Sequence, residues 1–558
     1  MFKTSPSTAV ASLVMIVLLC ACGGGEPATD SGAGETAGTP MPTGSAGRAP
    51  EKETGPAVKG TLTAASIEAG GEGAMSDLGV SRVALSADGN WLAMVSSSNN
   101  LVEGQHDALR DSHLPELFLH DREPRGTVLV SHSLGNPAQT SIAQSDYPDV
   151  SADGRWVAYQ SSSIDLVPSD GQRSMFHNQV FLYDRETGAN LRMSNAAGTI
   201  APSNGASEAV SISADGRWVA YQSNAQNLVA GQVDRPGTDD IFLYDRERSE
   251  NILVSHAAGN PLAAAGDSSI APAISADGRW VAYVSYASDL VEGLDDPNGN
   301  GIDIFLYDRE TGGNMLVSRA GHDPVTAAEN SSDTVPPSIS DNGRYVVYVS
   351  HAMDIVPGMV DDAGDAMVFI FDRQSGKNTL VSHAAGQPQR TCSFLAEAAT
   401  ISGDGNWVVF ASEASNLVEG QDDSEVRRNI YLWERATGTA RLVSHRAGSP
   451  LASPNQNSYS SAISRDGRFI AFDSDAPHLV AGQADEEMGL DVFLYDRDTA
   501  AITLVSHAAG NTTQATNGTP GDIAISADGR VVAFMSYADG LTPEDANGQC
   551  DAFFFVQQ

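Results

Sequence analysis

A ten-residue block, I-S-A-D-G-R-W-V-A-Y at 212–221, returns with small changes eight times, its glycine falling at Gly89, Gly154, Gly216, Gly278, Gly343, Gly405, Gly467 and Gly529. The seven intervals between those glycines are 65, 62, 62, 65, 62, 62 and 62 residues. A period this regular is the mark of one supersecondary unit used repeatedly, each copy burying its apolar faces against its neighbours. A chain of 558 residues would otherwise imply several domains, but the repeat favours one closed array.

Each unit reads as a four-stranded antiparallel meander. In the third copy, 209–213 predicts a short strand and Ala214-Asp215-Gly216-Arg217 a tight turn, because Asp-Gly accepts the positive φ angles of a narrow hairpin. Residues 218–223, 240–246 and 251–256 predict the second, third and fourth strands. The run Trp218-Val219-Ala220-Tyr221 is apolar at successive positions, so both faces of the sheet must be covered. Sheets of that kind stack, and radial stacking closes into a ring. The expected fold is all-β: an eight-bladed β-propeller of four-stranded antiparallel blades spanning 59–558. The last copy supplies strands at 531–536 and 552–556 and no fourth, whereas Gly60-Thr61-Leu62-Thr63-Ala64 precedes the first copy. That N-terminal strand is expected to complete the last blade.

The repeat S-A-D-G-R-W-V-A-Y followed by I-F-L-Y-D-R resembles the TolB-type, WD-like propeller repeats of bacterial envelope proteins, over about 59–556. The resemblance implies a propeller at the cell envelope. It does not extend to the α/β domain of TolB itself, and the loops here are longer, so it speaks to the fold more than to a role in the Tol system.

Residues 1–22 read as an export signal, with Lys3, the apolar run 9–19 and then Leu19-Cys20-Ala21-Cys22. The run is too short to span a bilayer. Its end resembles the lipobox of bacterial lipoproteins, which implies cleavage before Cys22 and lipidation of that residue. Gly23 in place of an aspartate favours the outer membrane. Residues 23–58, dominated by Gly, Ala, Pro, Thr, Ser and Glu, read as a disordered tether with a reach of roughly 30 to 35 Å.

Asp and Glu number 71 against 32 Lys and Arg, a formal charge of −39, which repels a nucleic-acid partner. A divalent cation, or a basic patch on an envelope protein, suits such a surface, and a glycan is a further candidate partner. The acid residues gather between the second and third strands, as at Asp234, Asp239 and Asp240, or Asp295, Asp296 and Asp303. In a propeller these loops share a face with the loops joining blades, so an acidic rim is expected. Two loops look like calcium loops: Asp296, Asn298, Asn300 and Asp303, and Asp545, Asn547 and Asp551. Both alternate side-chain oxygens around glycine, though neither has the distal glutamate of an EF-hand.

Other repeated residues read as structural. Trp91, Trp156, Trp218, Trp280 and Trp407 share one repeat position, one per blade, and are expected in packing. His132, His256, His383, His445 and His507 also share a position, but on different blades they lie too far apart for one zinc ion. They are expected to be hydrogen-bonded edge residues. The Asp-Arg pairs at 184–185, 245–246 and 308–309 read as turn or ion-pair elements. Cys392 and Cys550, about two blades apart, are expected to stay unpaired. No G-x-S-x-G, H-E-x-x-H or C-x-x-C motif occurs. The readings are therefore a lipid-anchored binding or scaffolding module; a metal-dependent propeller enzyme of lyase or lactonase type, with a channel site assembled from several blades; and a structural surface protein.

Overall fold

The computed structural model describes residues 57–69, 75–109, 113–123, 126–168, 177–299, 301–360, 365–422, 426–485, 489–516 and 518–558. The signal, Cys22 and nearly all of the tether therefore lie outside the described residues. The strands form eight four-stranded antiparallel sheets, blades 1 to 8 in the order of Gly89 to Gly529. In blade 3 they are Ser207–Ile212, Trp218–Ser223, Asp240–Asp245 and Glu250–Leu253, each paired with the next. The second and third are buried throughout, which is why their sequences run apolar without alternation. First strands of successive blades lie against one another around the axis. The fourth strand stops at Leu253, so Ser255 and His256 lie beyond it rather than within it.

The ring closes in two ways. Gly60–Ala64 pairs antiparallel with Asp551–Gln557, Leu62 opposite Phe555, and the N-terminal strand completes blade 8 as expected. In addition, the turns between first and second strands are joined by backbone bonds into an unbroken circle. The amides of Asp88, Ala152, Ala214, Asp277, Asp341, Asp404, Arg465 and Ala527 donate in turn to the carbonyls of Ala152, Ala214, Ala276, Asp341, Gly403, Arg465, Ala527 and Ala87.

The repeated block is the fastening between blades. Ser213 Oγ accepts from the Trp218 amide at 3.0 Å and donates to Asp215 at 2.6 Å, which squares the turn. The Trp218 indole then packs beneath Gly278 of the next blade. Arg309 of that blade covers the ring, its guanidinium carbon 4.0 Å from the ring centre, a contact worth roughly 0.5–2 kcal/mol. Arg217 holds Asp245 through two bonds of 3.2 and 3.1 Å. The tryptophans and the Asp-Arg pairs are thus packing and ion-pair elements.

Three of the five repeated histidines tie one blade to the next. The ring nitrogens of His256 lie 3.0 and 2.9 Å from the carbonyl oxygens of Ala257 and of Gly312 in the next blade, and His132 and His445 repeat the arrangement. Cys392 and Cys550 are buried free thiols, pushed up to about 11 and about 12 by burial.

Candidate functional site

The loops between second and third strands share a face with the loops joining blades, because the two run side by side as short parallel bridges. One repeat position makes the bridge each time: His106 to Gln139, Val233 to Ala263, Asp295 to Thr326, Val360 to Arg390, Asp422 to Ala452 and Ala484 to Gln514. At Val233 the amide donates to Leu262 O at 2.8 Å and the carbonyl accepts from Ala264 at 2.9 Å. The backbone is fixed while the side chains point outward: Val233 is 66% exposed and Val360 52%, and Asp295 and Asp422 are also exposed. Glu103, Glu292 and Glu419 add exposed charge. This face mixes carboxylates with rigidly held aliphatic side chains.

The acidic loop residues divide into two populations, which corrects the expectation that all crowd the rim. Asp240, Asp303, Asp491 and Asp551 are the first residues of third strands and are buried within their blades. Each accepts a hydroxyl bond: Ser255 to Asp240, Ser318 to Asp303 and Ser506 to Asp491 at 2.7 Å, and Ser66 to Asp551 at 2.6 Å. The physical reason is sheet register: Ser223 pairs with Asp240, so the carboxylate is drawn into the blade's edge rather than left in the loop. Burial pushes Asp240 up to about 8 and Asp303 and Asp491 up to about 7. Glu116, at the same position in blade 1, is pushed up to about 8 for the same reason.

The residues expected to ligate calcium are placed as follows. Asp296 accepts from the Gly299 amide at 3.1 Å. Asn298 Nδ2 donates to Ala328 O at 2.9 Å and lies 3.5 Å from Asp303 Oδ2, while its buried Oδ1 has no partner. Asn300 lies outside the described residues. In the second loop, Asp545 is buried and accepts from the Leu541 amide at 3.3 Å, and burial pushes it up to about 6. Asn547 Nδ2 donates to Ser76 O at 3.0 Å, and the amide of Gln549 to Asn547 Oδ1 at 3.0 Å. Asp551 Oδ2 is buried without a partner. The structure thus brings Asp296, Asn298 and Asp303 together. Among the described residues no group of three or more His, Cys, Asp or Glu side chains is arranged to hold a metal.

Two further polar groups, missed from the sequence, involve residues of the inner strands. Arg82 is bound to Asp146 at 3.0 Å and stacks on Tyr147, 3.8 Å from the ring centre. Tyr147 has φ 53°, and Ala209, Ala271 and Ala398 take the same left-handed geometry where their first strands shift register against the second. Such backbone is costly for residues with a Cβ. Across the ring, Arg428 pairs with Glu397, and its guanidinium carbon stands 5.8 Å from the Tyr459 ring centre. At the opposite mouth, Arg465 of blade 7 reaches Asp341 of blade 5 over Gly403, whose missing side chain leaves the path open. The signal available for these residues was departure from the repeat: Asp341, Gly403 and Arg465 all stand in the S-A-D-G block, where other copies have alanine.

Fold and site together define an eight-bladed β-propeller of four-stranded antiparallel blades, with a variable loop face on a fixed frame. No protein-family model and no curated protein sequence matches the chain. Solved structures do match. Porphyromonas gingivalis dipeptidyl peptidase 4 is 13% identical with a TM-score of 0.46, over 83% of this chain and 56% of the peptidase. An oligogalacturonate lyase from Vibrio parahaemolyticus is 12% identical with a TM-score of 0.40, over 86% of this chain and 98% of the lyase. TolB from Acinetobacter baumannii is 13% identical with a TM-score of 0.29, over 68% and 76%. The chain thus spans little more than half of the peptidase, and these likenesses carry no argument about activity. Among the described residues no helix is long and apolar enough to cross a membrane.

Proposed function

We propose that this chain is an exported propeller of the cell envelope, anchored to the outer membrane through lipid on Cys22, that binds an envelope protein on its loop face. The observation that supports the reading is the bridged rim position, whose backbone geometry recurs while its side chain changes from His106 to Val233, Asp295, Val360, Asp422 and Ala484. Variable side chains on a rigid scaffold are how binding surfaces are built. Carboxylates interleaved with exposed valines call for a partner surface that is basic and partly apolar. A calcium ion held by Asp296, Asn298 and Asp303 is part of the proposal, since the orphaned Asn298 oxygen beside two carboxylates lacks a positive partner.

The test is capture from solubilised envelopes with the purified full chain as bait, in rising salt. A specific basic partner is retained at low salt and released as screening grows. The Val233→Arg/Asp295→Lys/Asp422→Lys variant is expected to lose it, and retention by that variant would sink the reading. The group of Arg82, Asp146 and Tyr147 on the inner strands supports a second reading, a glycan bound, or an enzyme acting on one, at the channel. Saccharide binding abolished by Tyr147→Ala, with the rim variant unaffected, would favour it.

A further inference from the structure

The third strand opens with Glu116, Gln179, Asp240, Asp303, Met367, Asn429, Asp491 and Asp551 in blades 1 to 8, and the blades satisfy this position differently. In blade 2 the Gln179 amide is paired on both sides. Its oxygen accepts from Ser194 at 2.8 Å and Ser203 at 3.2 Å, and its nitrogen donates to the carbonyls of Asn178 and Gly205 at 3.0 and 2.9 Å. In blade 1, Glu116 accepts from Ser131 and also from Ser141, the latter at 3.1 Å to each oxygen. In blade 8 two serines, Ser66 and Ser76, converge on one oxygen of Asp551 at 2.6 and 3.0 Å, and its other oxygen has no partner.

Blade 3 lacks the second hydroxyl, because Ala265 stands where blades 1, 2 and 8 have Ser141, Ser203 and Ser76. Asp240 therefore receives Ser255 alone, and its Oδ2, on a fully buried residue, has no partner. The carboxyl group of Asp234 lies within hydrogen-bonding reach of Asp240. Asp234 itself accepts from Thr238 at 3.2 Å and Gln232 at 3.4 Å. The adjacent guanidinium of Arg235 is directed away, to the carbonyl of Gly266 at 3.1 Å. Two carboxyl groups thus face each other with no N–H group or cationic side chain between them, and such a buried pair must either share a proton or hold a cation.

We propose that Asp234 and Asp240 hold a calcium ion in blade 3, its remaining coordination completed by water and loop carbonyls. Calcium suits the site because it takes carboxylate oxygens in loose, irregular shells, and extracellular modules bind it with Kd on the order of 10⁻⁴ to 10⁻³ M. The route in is short: Asp234 is half-buried and the loop tip at Arg235, Pro236 and Gly237 is exposed. The ion would sit directly behind Val233 and hold the rim there. This inference is separate from partner binding and from the blade 4 ion, and neither failure touches it.

The test is equilibrium dialysis of the metal-stripped full chain against calcium, counting ions bound per chain, with melting followed in parallel. Asp240→Asn copies the amide of blade 6 and is expected to bind one ion fewer than the parent, whereas Asp303→Asn leaves the blade 3 ion in place. Asp234→Asn, at a half-buried position, gives the same reading if Asp240→Asn fails to fold. Equal ion counts for the parent and both blade 3 variants would overturn the proposal. So would a parent chain whose melting ignores calcium and follows pH alone, since the pair would then be sharing a proton.

Discussion

The Trp218 indole lies so close beneath Gly278 of the following blade that a methyl group on Gly278 would fall 2.5 Å from Cδ1 of the ring. Gly278 also holds φ +67°. Gly278→Ala should therefore combine a left-handed backbone cost of about 1–2 kcal/mol with an overpacking cost of about 1–3 kcal/mol. Gly259 supplies the control, because it has φ +72° and open space around its Cα. Denaturant unfolding of both variants should show Gly259→Ala losing only the backbone share, and equal losses would contradict the account of the clasp.

Removing residues 1–64 should open the ring. Without Gly60–Ala64, the strand Asp551–Gln557 keeps Val531–Ser536 on one side but loses its outer partner, and an apolar edge carrying Phe553 and Phe555 is exposed. Exposed strand edges of this kind invite association between chains. Light scattering should show the truncated chain aggregating where the parent does not. A monomeric truncation with an unchanged melting temperature would mean that the circle of turns closes the ring unaided.

Gly403→Ala should be mild, in contrast to Gly278→Ala. Its added methyl meets the side chains of Asp341 and Arg465, the nearest Arg465 atom being Cγ at 2.5 Å, both half-exposed or exposed and free to swing aside, and φ at Gly403 is not positive. The pair is solvent-facing, so its loss costs about 0–1 kcal/mol. A loss comparable to that of Gly278→Ala would show that the bridge across the mouth matters far more than exposed ion pairs usually do.

In chelator, stability should fall as pH rises from about 5 to 8. Glu116 and Asp240 are held up to about 8, and Asp303 and Asp491 up to about 7, by burial. Unfolded carboxyls titrate near 4, so over this window the folded chain binds more protons than the unfolded one and the slope of stability against pH is negative. The contribution is complete below pH of about 4 and is lost through pH 7 to 8. The urea midpoint at pH 8 should lie below that at pH 5, and a flat or rising profile would contradict the assignment.

The fold was legible because the repeat writes its packing eight times over. Trp218 and Gly216 are repeated for a reason of geometry, a ring lying under a backbone, so their spacing alone reports blades. The missing final strand at one end of the chain and Gly60–Ala64 at the other told where the circle closes. The acid residues were harder to read, because Asp234 and Asp240 look alike in a loop-rich stretch while sheet register buries one and leaves the other half-exposed. The inner-strand cluster was least legible. Arg82 reaches Asp146 and Tyr147, and Arg428 reaches Tyr459, only across blades, and nothing in their local sequence distinguishes them from ordinary polar positions.

The repeated block builds the ring, and the loop face is the proposed binding surface. The most direct measurement compares partner capture by two variants of equal stability. One is altered on the loop face, Val233→Arg/Asp295→Lys/Asp422→Lys, and the other on the opposite mouth, Asp341→Ala/Arg465→Ala. The account predicts that the first loses the captured envelope protein and the second retains it; capture lost by the second and kept by the first would contradict it.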